Sequence, residues 1–239
     1  MAQKEKILWV VHYDNVNDFI AQAQNAGATG VAIRTDNNMV KAIQRFHDVG
    51  IKVFGWRWPS AKRDPAMNEA NKVAALLQAG LDGYYVDPEG EPGKSYDWNL
   101  PGLDQLAHDF CTTIKSAAPD KILGVTSHYR AKQLFKNLPW KAFFDHADVL
   151  LPQSYWRVEG GVVGHGIPAD NYQRGIDAWT AAGGTAARIV PMAGEIALVK
   201  AAEIAQYALA AEAAGRRELH YYTATGSVSD AVWAAIKAS

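Results

Sequence analysis

Gln78-Ala79-Gly80-Leu81-Asp82-Gly83-Tyr84-Tyr85-Val86-Asp87-Pro88-Glu89 holds the fold in miniature. An alanine-rich stretch ends at a glycine, and a short apolar, β-favouring run follows within a few residues. Glycine suits the left-handed position just past a helix end, where a Cβ is penalised. The same phrase occurs at Asn25-Ala26-Gly27 before 29–34 and at Asp48-Val49-Gly50 before 51–56. It returns at Ala182-Gly183-Gly184 before 187–191 and at Ala214-Gly215 before 218–223. A helix that stops at glycine and feeds a strand, repeatedly, predicts alternating β and α units on a parallel sheet.

Extended outward, the pattern predicts strands over 6–13, 29–35, 52–58, 83–89, 121–128, 147–156, 187–195 and 218–225, with helices between them and a last helix over 230–237. Runs such as Val149-Leu150-Leu151 and Arg188-Ile189-Val190 suit parallel strands buried on both faces. Eight such units in 239 residues fit a (β/α)8 barrel better than an open doubly wound sheet, which needs fewer strands. No linker or composition shift interrupts the series, so 1–239 is expected to form a single α/β TIM-barrel domain, working as a monomer.

Composition narrows the function. The net charge is −1 with no block of Lys or Arg, which argues against nucleic acid or an acidic membrane surface as a partner. No segment approaches the roughly 20 apolar residues of a membrane span. The apolar run Ile7-Leu8-Trp9-Val10-Val11 is too short for a signal peptide and lacks a small-residue cleavage site. It is expected to be the first strand of a protein that is cytoplasmic as synthesised. The one cysteine, Cys111, excludes an intramolecular disulfide framework and any multi-cysteine metal site, and its helical apolar setting predicts an inert buried thiol. Eight Trp are many for this length, and Trp faces serve either to stack sugars and bases or to fill a core.

In a barrel of this kind the chemistry lies at the carboxyl ends of the strands. Polar and aromatic residues gather there: His12-Tyr13-Asp14, Arg34 and Asp36, Trp56-Arg57-Trp58, Ser127-His128-Tyr129, Gln153 with Tyr155 and Trp156, Glu195, and Tyr221 to Thr225. The fourth strand ends in Asp87, Glu89 and Glu91. Side chains alternate along a strand, so Tyr85, Asp87 and Glu89 share one face and Glu91 falls beyond the strand. Two residues advance about 6.5–7 Å, and side-chain reach can close the two carboxyls towards the ~5–5.5 Å used by retaining glycosidases. Nearby carboxylates push their pKa values apart, leaving one protonated as a general acid and the other charged. A solvated acidic loop or a structural ion pair would explain the same residues. Trp56, Trp58 and Trp156 are candidates to stack on sugar rings, with Tyr85 and Tyr222 beside them. Arg34 and Arg57 suit either a substrate carboxylate or pairing with Asp36 or Glu91, and Glu195 is a reserve carboxylate. His12, His128 and His220 lie on three strands without the paired His-x-His spacing of a barrel metal site, so neither a metal nor a cofactor is expected.

Leu81-Asp82-Gly83-Tyr84-Tyr85-Val86-Asp87-Pro88-Glu89 resembles the fourth-strand signature of family 18 glycoside hydrolases, the chitinases and endo-β-N-acetylglucosaminidases. The match holds at Asp82, Gly83, Asp87 and Glu89 and fails at Tyr85, where that family prefers Asp or Asn. Gln153-Ser154-Tyr155 is similar to the family's sixth-strand Gln/Met-x-Tyr element, whereas Phe54-Gly55-Trp56-Arg57 departs from the Ser-x-Gly-Gly of many chitinases. The Asp-x-Glu is also similar to that of family 25 lysozymes, with Asp14 a loose substitute for their early Asp. The resemblance implies Glu89 as acid/base, Asp87 as the residue that orients a substrate acetamido group and Tyr155 as its hydrogen-bond donor. It further implies retaining, substrate-assisted hydrolysis of a polysaccharide or oligosaccharide containing N-acetylhexosamine, chitin-like or peptidoglycan. For peptidoglycan the protein is expected to reach the cell wall after release. A carbohydrate-binding barrel without turnover, or a metal-dependent barrel hydrolase, stands as the alternative.

Overall fold

Strand and helix alternate as the repeated phrase requires. The structure, a computed structural model, describes residues 4–224 and 227–239. Its parallel strands are β1 (Glu5–Val10), β2 (Gly30–Arg34), β3 (Lys52–Arg57), β4 (Gly83–Val86), β5 (Ile122–His128), β6 (Val149–Gln153) and β9 (Glu218–Tyr221), hydrogen-bonded in the order β6-β5-β4-β3-β2-β1-β9. A short antiparallel hairpin, β7 (Arg157–Val158) and β8 (Gly161–Val162), projects after β6. Between the strands run α1 (Val16–Ala26), α2 (Met39–His47), α3 (Arg63–Gln78), α4 (Asp104–Ala117), α5 (Trp140–His146), α6 (Pro168–Ala181) and α7 (Ala201–Ala213), with α8 (Asp230–Ala238) last. The sequence marks their ends. Asn15 caps α1 by accepting the Asn17 amide (2.9 Å), and α1 stops at Gly27 with φ 68°. The face it buries, Val16, Phe19, Ile20, Ala23 and Ala26, follows the helical repeat.

The expected strand over 187–195 is not a regular strand. A 3-10 turn (Ala186–Arg188) leads into an extended segment that still closes the barrel. Val190 and Met192 amides donate to the Leu150 and Pro152 carbonyls (2.7 and 2.8 Å), Ala193 donates to His220 (3.0 Å), and Tyr222 donates to Ala193 (2.9 Å). Pro191 has no N–H to extend the ladder, and Glu195 leaves it at φ 51°. The sixth strand is shorter than 147–156 because the Ser154 amide turns back onto the Pro152 carbonyl (2.8 Å). The last expected strand runs to Thr225, which lies outside the described residues.

Period-two alternation divides the core into two layers. Leu8, Val31, Val53, Tyr84 and Leu123 point outward against the helices, where Cys111 is also buried. Ile7, Trp9, Ala32, Phe54, Trp56, Tyr85, Val149 and Leu151 fill the barrel interior. Tyr85 therefore lies beneath the cleft, not in it: it is fully buried, stacked between Trp9 (4.9 Å, 21°) and Phe54 (5.1 Å, 23°). Its hydroxyl meets no hydrogen-bond partner among the described residues. Leaving a buried polar group unsatisfied costs about 1–3 kcal/mol. Tyr85→Phe is accordingly expected to keep or raise the melting temperature and to leave activity unchanged. A fall in both would place the hydroxyl in a network that the packing does not reveal.

Candidate active site

Beyond Val86 the chain stays extended for one more residue. The Asp87 amide donates to the Arg57 carbonyl (2.9 Å), continuing the ladder with β3. From β5, Ser127 Oγ donates to the Pro88 carbonyl (2.7 Å), and the Glu89 carbonyl accepts the Trp98 amide (2.7 Å). The backbone carrying both carboxylates is thus held from each side. Asp87 and Glu89 line a cleft of about 460 Å³, its open mouth included, within the ~300–1,000 Å³ usual for small-ligand sites.

Gln153, the last residue of β6, donates its amide to Asp87 Oδ1 (3.0 Å) and reaches Glu89 Oε1 (3.4 Å). Burial pushes the Asp87 carboxyl well above the usual carboxylate range, and the charge and hydrogen bond of Glu89 add to this against the opposing hydrogen bonds of Gln153 and Trp58. Glu89 is raised to about 7, first by burial and then by the charge of Glu91, although hydrogen bonds from Asp87 and Gln153 pull it down. Each carboxyl shifts the other, so the two behave as one titrating unit. It gives up its first proton near neutrality and holds the second to higher pH. Such a unit offers a proton and a negative charge at the same place.

Tyr155 forms a further wall. Its ring lies parallel to Tyr222 (5.8 Å, 10°), and Asn171 Nδ2 donates to its carbonyl (2.8 Å). A Cβ at Gly194 would run into the Tyr155 ring, so only glycine admits this ring position. Burial, then the charges of its neighbours, keeps the Tyr155 phenol protonated, which makes it a hydrogen-bond donor and not a base. Glu195 also lines the cleft, from an αL backbone that non-glycine residues seldom adopt, and burial raises its carboxyl. Trp58 completes the rim under the Arg34 guanidinium (5.3 Å).

The structure therefore brings Asp87, Glu89, Gln153, Tyr155, Trp58, Glu195 and Tyr222 together. Trp56 belongs to the floor: it is 1% exposed and its indole N–H is tied to the Val10 carbonyl (3.0 Å), which leaves its face no room to stack on a sugar. Besides Tyr85, two expected residues are absent from the cleft, because each follows an inward-facing neighbour and points away from the axis. Trp156 is buried outside the barrel, 5.8 Å from Tyr207, with its N–H on Glu203 Oε2 (3.2 Å). Arg57 turns outward towards Asp36 (3.5 Å) and Glu69 (3.9 Å). The three histidines stay apart. His12 is exposed beside Asn37 (2.9 Å), His128 stacks on Tyr129, and buried His220 links Trp9 (2.9 Å) to Glu218 (2.7 Å). Among the described residues, no group of three or more His, Cys, Asp or Glu is arranged to hold a metal ion. Sequence reasoning missed Trp9, Thr126 and Met192, which also line the cleft. Strand parity would have found the first two, since they alternate with outward-facing Leu8 and Val125.

No protein-family model matches the chain, and no curated protein does. Solved structures do. A class V chitinase from Pseudomonas fluorescens Pf-5 superposes with TM-score 0.68 at 12% identity, covering 98% of both chains. A psychrophilic family 10 endo-β-1,4-xylanase gives 0.63 at 11% identity over 98% of this chain and 96% of that one. A putative deoxyribose-phosphate aldolase from Coccidioides immitis gives 0.60 at 13% identity over 91% and 80%. These likenesses establish the class, an α/β TIM barrel of the architecture shared by glycoside hydrolases and aldolases. At such identities they say nothing of the chemistry. Among the described residues, no helix is long and apolar enough to cross a membrane.

Proposed function

We propose that this barrel is a retaining glycoside hydrolase acting on an N-acetylhexosamine-containing glycan, chitin-like or peptidoglycan. The observation that carries the reading is the pair Asp87 and Glu89, side by side at the floor of a sugar-sized cleft and both within reach of the Gln153 side-chain amide, with burial favouring their protonated forms. Glu89 protonates the glycosidic oxygen as the bond to the anomeric carbon breaks. The 2-acetamido oxygen attacks that carbon from the other face, as in the family 18 enzymes that the fourth strand resembles. Glu89, now a carboxylate, then takes a proton from water, whose oxygen opens the cyclic intermediate with net retention. With the proton of the pair on Glu89, Asp87 is the carboxylate that holds the acetamido N–H and balances the positive charge that develops, while the Tyr155 phenol donates to the acetamido oxygen. Imine chemistry of the aldolase kind needs a lysine amine, and no described lysine lines the cleft. In this reading 1–239 acts as one monomeric domain without metal, cofactor, nucleic acid or membrane insertion, and it meets peptidoglycan after release from the cell.

The test is to incubate the protein with N-acetylchitooligosaccharides and with solubilised peptidoglycan, following the first-formed anomer by NMR. Hydrolysis with the anomeric configuration of the substrate retained is expected. Binding without turnover would reduce the protein to a carbohydrate-binding barrel, and inversion would rule out the substrate-assisted route.

A further inference from the structure

A second cavity, about 820 Å³ with its open mouth, adjoins the first, and Glu89 and Trp58 line both. Its remaining wall comes from Gly90, Glu91, Pro92, Tyr96 and Phe135. This wall is built, not incidental. Glu89 bridges Asp97, the Ala61 amide donates to the Ser95 carbonyl (2.7 Å), and the Trp98 indole N–H donates to the Pro59 carbonyl (2.9 Å), so the loop after β4 is fastened to the loop after β3. Tyr96 is held by its hydroxyl, which donates to Glu91 Oε2 (2.7 Å), with its ring 6.5 Å from that of Trp58. Phe135 packs against the backbone at Gly90, where a Cβ would run into its ring.

We propose that this cavity receives the leaving-group side of the glycan, with Tyr96 and Phe135 as specificity-determining residues; the inference rests on the function proposed above. A general acid must stand at the bond being broken, so a chain cut by Glu89 has one sugar on each side of it. The ring that becomes cationic needs buried negative charge and fixed donors, and Asp87, Gln153 and Tyr155 all line the first cavity. The leaving sugar needs only its proton, a surface to rest on and a way out. Half-buried aromatic rings at an open cavity supply that surface to the C–H face of a pyranose. The lining holds the carboxylates Glu89 and Glu91 and no cation, so the residue it takes is a neutral hexosamine, not one bearing an acidic substituent.

Steady-state kinetics on N-acetylchitooligosaccharides of increasing length test this with Tyr96→Ala, Phe135→Ala, Tyr96→Phe and Glu89→Gln, each first checked for an unchanged melting transition. Losing one stacking face of about 50 Å² corresponds to roughly tenfold in affinity. Tyr96→Ala and Phe135→Ala are expected to raise KM about that much with kcat little changed, and Tyr96→Phe to raise it less. Wild-type KM in both alanine variants, alongside an inactive Glu89→Gln, would overturn the subsite and leave the hydrolase standing. Full activity of Glu89→Gln would remove Glu89 as the acid, and the subsite argued from its position with it, while hydrolysis of the glycan would still stand. Since Phe135 packs on backbone, its alanine variant can fail to fold; the KM of Tyr96→Ala, at a partly exposed position, then decides alone.

Discussion

Glu89→Gln is expected to lower kcat on a chito-oligosaccharide by about 10²–10⁴, the usual contribution of a positioned general acid–base. The amide keeps the volume of the carboxyl and can still accept from Gln153 Nε2, so the cleft should keep its shape and its affinity for the glycan. What disappears is the proton held near neutrality. The same substitution carries a second, activity-free signature. Glu89 is raised from its ordinary value of 4.5 to about 7, so between those pH values the native state binds more protons than the unfolded one. Stability then falls as pH rises through that window. Glutamine does not titrate, and the variant should gain on the wild type from pH 5 to pH 8. Each kcal/mol appears as about 2–4 °C in a chain of this size. A variant that loses activity but shows no such gain would still point to Glu89 as the acid, while removing burial as the source of its pKa.

Gly194→Ala is expected to do nearly as much damage from outside the carboxylate pair. The added Cβ would overlap the Tyr155 ring, a contact that no rotamer adjustment of alanine relieves. Either Tyr155 leaves its place beside Tyr222 or the segment that closes the barrel shifts. Forced overpacking of this kind costs about 1–3 kcal/mol, and displacing the hydrogen bond to a developing charge costs roughly 10²-fold or more in kcat. Tyr155→Phe separates the two effects, because it removes the hydroxyl and leaves the packing. Comparable kcat losses in both variants, with a lower melting temperature in Gly194→Ala alone, are the expected result. A Gly194→Ala variant with wild-type kcat would show that Tyr155 is not needed where the structure puts it.

Much of this was legible in the sequence. The glycine-closed phrase led to the alternation of strand and helix, and parity on the fourth strand put Asp87 and Glu89 on one face with Tyr85. The same parity, applied to Trp56-Arg57-Trp58 and to Tyr155-Trp156, sends Arg57 and Trp156 outward, where the structure has them and where composition alone does not place them. Tyr85 occupies the position at which family 18 enzymes prefer Asp or Asn, and only the packing shows what fills that layer: an aromatic stack between Trp9 and Phe54, in which an unpaired polar or charged group would be costly. The irregular seventh position was half visible in Pro191. The second cavity was not visible at all, because Tyr96 and Phe135 sit in loops without periodicity and meet only when the loop after β4 folds back on Trp98.

The dependence of kcat/KM on pH tests the central claim most directly, since it reports the protonation states of the free enzyme. If the singly protonated Asp87–Glu89 unit is the working form, kcat/KM on a chito-oligosaccharide rises through about pH 7 as the pair gives up its first proton. It then falls only well above the ordinary carboxylate range, where the second is lost. A profile already falling above pH 5, or one flat across neutrality, would contradict the Asp87–Glu89 pair as the catalytic unit.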